Sequence, residues 1–456
     1  MNGRRDLLRA AAGLAGILGL ALAAAGTQPP EPAPAATEPA AGLYVGPYSC
    51  GSSNCHGSAR PRRVFDVLQN ELFTWSRGGD PHYQKAFRVL LDERSRIIAR
   101  NLQLSSPPSA SAVCLGCHAF NVPQERQAER LEIEDGISCE ACHGPASGWI
   151  GGHSAEDWTH ERSVTAGMTD LRDLAVRSRL CLSCHLGAPG RTVDHDLIAA
   201  GHPVLSFELD NYSEDMPAHW MPFRDKKRKE GLRDTHGARA WAVGQAAAFR
   251  DGLDQLARRA RSPRWPEFSE MSCDACHHSL AEQRWRNTRY SDRPGLPRWS
   301  PARWAVLRHV VADADPQARD ALDSDVAQLA RQVARIGTPP AEVAETAERM
   351  SRALGGAIPR LDRETWDDAR LKRLLLAISG DADVLAADRP AAEQAFLALH
   401  SLTAQLQARS PQRVRAGLAN TLEAMQNDFE KTPYTWNPGR FTSQLAQFRR
   451  QAQGLP

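Results

Sequence analysis

Ten cysteines carry the most specific chemistry in this 456-residue chain. They fall into five pairs, Cys50/Cys55, Cys114/Cys117, Cys139/Cys142, Cys181/Cys184 and Cys273/Cys276, with no thiol left over. A histidine follows each pair at once: His56, His118, His143, His185 and His277. Four of the runs read Cys-x-x-Cys-His, the attachment pattern for c-type haem. A short turn sets two thiols on one side, within reach of the two vinyl groups of one porphyrin. The next residue, the histidine, then lies over the iron as its proximal ligand. Zinc ribbons also use Cys-x-x-Cys, but they need no histidine after every pair. Thioredoxin-type pairs belong to a βαβ pattern that is absent here. Disulfides, the usual state of cysteines in an exported chain, leave the five histidines unexplained.

The first run departs from the pattern. Cys50-Gly51-Ser52-Ser53-Asn54-Cys55-His56 has four residues between its cysteines. Gly, Ser and Asn suit a loop that folds aside and still presents both sulfurs. The expected cofactor is therefore haem c, five copies, or four if the Cys50/Cys55 site is empty. Each iron needs a sixth ligand, and ten further histidines are available. His82, His153, His195, His202, His219 and His236 are the distal candidates. His309 and His400 sit on helices far from the cysteines and are not expected to bind iron. His278 and His160 remain open, and Met168, Met216, Met221 and Met271 are present but not needed.

The elements that must carry these residues are mainly α-helical. No sustained two-residue alternation occurs, so little regular sheet is expected. Val64, Leu68, Leu72 and Trp75 have helical spacing, and Phe87, Leu90, Leu91 and Ile98 continue it. Leu171, Leu174 and Leu182 lead into Cys181 behind an Asp170 cap. A longer helix is expected from near His236 to Arg259. After Pro294 and Pro297 cysteine vanishes and four apolar stripes appear. They are Leu322/Val326/Leu329/Val333/Ile336, Leu371/Leu374/Leu375/Ile378, Phe396/Leu399/Leu402/Leu406 and Val414/Leu418/Leu422/Met425/Phe429. Each gives a helix with one apolar face. Breaks are expected at Gly337, Pro339, Pro340, Gly355, Gly356, Pro359, Pro390 and Pro411, and the helices should pack as an antiparallel bundle. The resulting division is a signal peptide at 1–26, a Pro/Ala-rich linker at 27–43, a multihaem domain at 44–295 and a helical bundle domain at 296–456. Arg4 and Arg5 followed by an apolar run suit a cleaved signal, or else an uncleaved N-terminal anchor.

Several stretches also resemble a known family. Tyr44-Val45-Gly46 leads to Cys50, and Trp75 is followed by Asp80-Pro81-His82. Asp135-Gly136-Ile137-Ser138 opens the Cys139 motif, which closes on His143-Gly144-Pro145-Ala146. Ala200-Gly201-His202-Pro203 follows the Cys181 motif. Together they resemble the multihaem cytochromes of the cytochrome c-554/c-prime type over about residues 44–290. The resemblance implies a mostly helical fold around closely stacked haems, periplasmic electron transfer, and distal ligation by His82, His153 and His202. Five motifs rather than the family's four, and the region after 300, depart from it.

The expectation is a periplasmic electron carrier working between redox protein partners or on a membrane-associated redox complex. The alternative is a haem enzyme with one five-coordinate iron acting on a small nitrogen or oxygen species. A formal net charge of +2 names no partner and gives no sign of nucleic-acid binding. The basic run Arg224, Lys226, Lys227, Arg228 and Lys229 is a solvated loop or a docking point for an acidic partner.

Overall fold

Short helices interrupted by proline and glycine carry the cysteine-rich half, and long amphipathic helices carry the rest. The computed structural model describes residues 42–62, 67–127, 131–220, 236–277, 298–335, 337–409, 416–431 and 436–455. The expected leader, nearly all of the linker, Val64, Met221, the basic run at 224–229, His278, Ile336 and Val414 lie outside them. The chain is mostly helical and has no sheet among the described residues, only isolated bridges such as Tyr83 with Gly136.

Besides short helical turns at Lys85–Arg88 and His160–Thr165, the helices described before the last cysteine pair are α1 (Glu71–Arg77), α2 (Glu93–Asn101), α3 (Ala112–His118), α4 (Cys139–His143), α5 (Leu174–His185), α6 (His195–Ala199), α7 (Leu209–Asp215) and α8 (His236–Ala260). Helix α1 starts later than the stripe from Val64 suggests. Gln69 has φ +60°, which breaks the helix, and the Glu71 carboxylate takes up the Leu68 and Gln69 amides instead. The cap of α5 is Asp173 rather than Asp170. Asp173 accepts from the Ala175 and Val176 amides at 2.7 and 3.1 Å. Asp170 is engaged elsewhere, by the Arg172 amide and His160 Nε2, both at 3.0 Å.

Helix α8 is buried on nearly every side. Trp241, Val243, Phe249, Leu253 and Leu256 alternate with alanines, which lets neighbours approach closely on all faces. It packs on α5 and α7, and also on α9 (Ala302–Ala314), α11 (Pro340–Arg363) and α13 (Arg389–Arg409). One hydrophobic core therefore runs from Leu174 and Leu182 through α8 to Phe448 and Leu455, across position 295. Helices α10 (Pro316–Ala334), α12 (Asp368–Ser379), α14 (Ala416–Phe429) and α15 (Pro438–Gln453) complete it. Pro316, Pro340 and Pro438 open their helices, where a missing N–H costs nothing. Among the described residues before 174 the apolar clusters are small, Phe87/Leu90/Leu115/Ala119 and the group that joins Ile98 to Leu197 and Ala200.

Gly355, Gly356 and Pro359, expected as breaks, lie inside α11. The stripe Val343, Ala347, Met350, Leu354, Ile358 and Leu361 is buried along that helix, and its burial offsets the poor helix formers. A Cβ built at Gly355 or Gly356 meets nothing within 4 Å, and neither glycine has a positive φ. Gly355→Ala and Gly356→Ala should each stabilise the protein by about 1 kcal/mol. Chemical denaturation followed by circular dichroism measures this, and no gain from either substitution would contradict an unbroken α11.

Candidate functional site

One helical turn gives the Cys-x-x-Cys-His run its shape. Residues i, i+3 and i+4 of a helix share a face, so both sulfurs and the imidazole point the same way. Three of the four regular motifs end or form a helix: α3 at Cys114–His118, α4 at Cys139–His143 and α5 at Cys181–His185. In the longer first run, the His56 amide donates to the Cys50 carbonyl at 3.2 Å and the Cys55 amide to the Ser52 carbonyl at 2.9 Å. The four intervening residues thus close into a loop that returns His56 to Cys50. None of the ten sulfurs is joined to another.

The last motif departs from the regular turn expected of it. Only Cys273–Ala275 form a 3-10 turn, and Cys276 lies just past it with φ −120° and ψ −38°. Cys273 and Cys276 are both exposed, whereas the six thiols of the other regular motifs are half-buried. The approach to the motif explains the difference. Met271 bridges to Trp299, and the Ser272 amide donates to the Arg298 carbonyl at 2.6 Å, so the chain stays extended up to Cys273. No helix leads into this motif as α3 and α5 lead into theirs. The run still closes on itself, because the Cys276 and His277 amides both donate to the Cys273 carbonyl, at 3.2 and 2.7 Å.

The fold brings the histidines into facing pairs. Ring centroids are 6.1 Å apart for His56 and His153, 6.3 Å for His118 and His202, 6.2 Å for His82 and His185, and 6.5 Å for His195 and His277. With imidazole–metal bonds of about 2.0–2.1 Å, as on zinc, and a ring nitrogen about 1.1 Å from its centroid, two imidazoles on opposite sides of one ion stand roughly 6.3 Å apart. The observed separations match that value. His143 is half-buried and has His219 and His56 as electrostatic neighbours. His82, His153, His195 and His202 are thus each set at one ion's span from a different proximal candidate, and His219 lies in the electrostatic surroundings of the fifth. His236, the sixth distal candidate, is the first residue of α8, next to Gly237, whose Cβ position faces Gln405 and Asp210.

Hydrogen bonds decide which ring nitrogen is free. His56 Nδ1 donates to Glu71 Oε2 at 2.9 Å and His82 Nδ1 to Asp80 Oδ1 at 3.1 Å. His118, His153 and His202 donate from Nδ1 to the carbonyls of Ala86, Ile150 and Pro203 at 2.8, 2.8 and 2.7 Å. His219 Nδ1 lies 3.4 Å from the Pro217 carbonyl. These partners only accept, so the proton sits on Nδ1 and Nε2 keeps its lone pair for a metal. His160 and His309 are different. Their Nε2 atoms face Asp170 and Asp381, each at 3.0 Å. Burial pushes the His143 imidazole down to about 4, with His219 adding to it, and pushes His185 down to about 4, with His82 adding to it. Both are therefore neutral at pH 7, the form that binds metal.

The surroundings also fit a porphyrin. Val113 beside Cys114, Val204 beside His202, and Phe268, whose ring lies 5.7 Å from that of His195, are exposed apolar groups at the pairs. Ser138 Oγ and Trp149 Nε1 are buried polar atoms with no hydrogen-bond partner among the described residues, donors of the kind that hold a propionate. Among those residues no three His, Cys, Asp or Glu side chains converge on a bare metal ion.

Several supporting residues carry no motif signal of their own. Glu140, inside Cys139-Glu140-Ala141-Cys142, is buried and accepts from the Val45, Gly46 and Ala146 amides at 3.0, 2.8 and 2.8 Å. It ties the chain entering the first motif to the third. Gly136 has φ +78°, and a Cβ there would sit 2.4 Å from the His82 carbonyl, which instead accepts from the Ile137 amide at 2.9 Å. Arg94 holds the Gly201 carbonyl at 2.7 Å, next to His202. Arg259 joins the Val193 carbonyl to Ser269 and Glu270, so the approaches to His195 and Cys273 stay together.

Residues 52–144 match the family model described as cytochrome c554 and c-prime. The match contains the Cys114 and Cys139 motifs whole, the Cys55–His56 end of the first run, and His82. No curated protein and no solved structure matches the chain.

Glu140→Ala would leave three buried N–H groups unpaired at about 1–3 kcal/mol each, so a loss of about 3 kcal/mol or more is expected. Denaturant titration gives the loss, and hydrogen exchange should speed up at Val45 and Gly46. Unchanged protection there would show that the carboxylate does not hold this segment.

Proposed function

We propose, for a chain whose residues 52–144 are those of a c-type cytochrome of electron transfer, that it carries five covalently bound haems, is exported to the periplasm, and relays electrons between redox protein partners. The observation that carries this reading is the set of histidine pairs at the spacing one iron requires. His56, His118, His143, His185 and His277 would each hold one iron, with His153, His202, His219, His82 and His195 as their partners in that order. Bound there, haem c supplies a reversible one-electron iron couple.

The chain's own residues do the rest. The cysteine pairs fix each porphyrin covalently. The Nδ1 hydrogen bonds orient the imidazoles and set their tautomer. Two histidines per iron favour low potentials over those of histidine–methionine sites. The attachment points also adjoin one another. Cys50 is an electrostatic neighbour of Cys139, Cys142 of Cys181, and Cys117 of Cys184. The first, third, fourth and second motifs thus follow one another in space, a contiguous series suited to hopping.

The enzyme alternative requires an iron with only one histidine in reach. Four of the five proximal histidines have a second ring at one ion's span, and His143 has His219 as an electrostatic neighbour, which favours the carrier. Among the described residues no helix is long and apolar enough to cross a membrane. Export and the redox partners rest on the N-terminal sequence and the cofactor chemistry.

Intact mass of periplasmic material should give five haems per chain, and four would leave the Cys50/Cys55 site empty. Ring planes supply a second test. They are 10° and 26° apart in His56/His153 and His195/His277, but 78° and 85° apart in His118/His202 and His82/His185. Parallel imidazoles split the iron π orbitals and give rhombic low-spin ferric spectra. Perpendicular ones leave those orbitals nearly degenerate and push the largest g value up. Electron paramagnetic resonance should show both classes and no high-spin iron. A high-spin signal of one haem per chain would turn the assignment to the enzyme.

A further inference from the structure

Two kinds of acceptor hold the ligand imidazoles, and they differ in charge. His118, His153, His202 and His219 are paired with backbone carbonyls. His56 and His82 are paired with carboxylates, at 2.9 and 3.1 Å. A carbonyl is a neutral dipole. A carboxylate carries a full charge, draws the Nδ1 proton toward itself and makes Nε2 more electron-rich, which favours ferric over ferrous iron.

We propose that Glu71 and Asp80 are positioning residues that lower the reduction potentials of the haems at His56/His153 and His82/His185 below those of the other three. This rests on reading those pairs as axial ligands.

Burial makes the charges effective. The Asp80 side chain is 1% exposed and that of Glu71 is 15% exposed, so water and salt screen them weakly. Both are also fixed in place. Glu71 Oε1 accepts from the Leu68 and Gln69 amides at 2.8 and 3.0 Å while Oε2 takes the imidazole. Asp80 Oδ1 accepts from the His82 amide at 2.9 Å as well as from the ring. Neither acid stands in a motif that attaches haem, and among the described residues no other pair member has a carboxylate on Nδ1.

The test is a potentiometric titration of the full haem-loaded protein, followed by haem absorbance, for the wild type, Glu71→Gln and Asp80→Asn. Each amide keeps the side-chain shape and removes the charge. In each variant one fifth of the absorbance change should move to higher potential while the rest stays in place. Glu71→Asp and Asp80→Glu, which retain the charge, should restore the lower midpoint. In the wild type, two fifths of the haem should titrate below the remainder. Intact mass on the same samples counts the haems. Fewer than five in the wild type overturns the ligand reading itself. Five haems with unmoved midpoints in both amide variants overturns the role of the carboxylates alone. If an amide variant does not mature, the wild-type titration decides, and the absence of a lower-potential two fifths overturns the proposal.

Discussion

Two imidazoles that share one metal ion must stand at a fixed distance and direction from one another, and the cysteine-rich half of this chain sets four histidine pairs at that distance. Each facing pair joins segments far apart in sequence, such as His82 with His185 or His118 with His202. Closing such loops costs conformational entropy that the local structure does little to repay. Helices α1 to α4 are short, and the apolar clusters before residue 174 are small. The backbone bonds that position the ligands, such as Ile137 to the His82 carbonyl, are weak individually. A metal bound between two such imidazoles would add the strong interaction that this region lacks, and its folding would then be coupled to binding.

The later half satisfies a different constraint. Its helices bury long apolar stripes and need no cofactor to do so. Helix α8 joins the two regimes. One side packs on α5, which ends in Cys181 and His185, and others pack on α9, α11 and α13. Around His185, Phe207 stacks at 5.0 Å and Tyr212 stands edge-on at 5.6 Å. Tyr212 adjoins the large core, and Phe207 and Leu182 belong to it. His185, at the end of α5, is therefore held by an ordinary hydrophobic core, whereas His56 and His153 are held by hydrogen bonds in loops.

The turns at three of the regular motifs were legible in the residues, because two cysteines and a histidine at i, i+3 and i+4 mark one face of one helical turn. Such a run spells out its shape locally. The helices from 236 and around the stripes of the bundle were legible for a similar reason, since a repeated apolar face is itself local. What was not legible depends on tertiary placement. The Cys273–His277 run has the same spelling as the other three, yet the pairing of Met271 with Trp299 keeps its approach extended and leaves Cys276 outside the turn. Asp170 and Asp173 are equally good caps by residue type, and only the approach of His160 to Asp170 separates them. Gly355, Gly356 and Pro359 read as a break because propensity is local, while the burial that carries α11 through them is not. Glu140 looks like a variable position between two cysteines, and its three amide partners come from residues 45, 46 and 146. The family match ends at 144, so motif comparison leaves the fourth and fifth sites and the whole bundle to physical argument.

The histidines show most directly why counting residues falls short of assigning them. Fifteen are present, and composition gives each the same chemistry. The distinction lies in which nitrogen carries the proton. An acceptor at Nδ1, whether the Ala86 carbonyl or the Glu71 carboxylate, leaves Nε2 with a lone pair directed away from the backbone. An acceptor at Nε2, as for His160 and His309, removes the atom with the longest reach. The fold therefore sets which nitrogen of each imidazole is free by where it puts oxygen atoms. The same oxygen atoms are neutral at four rings and charged at two. Tautomer and local charge thus follow from one set of contacts.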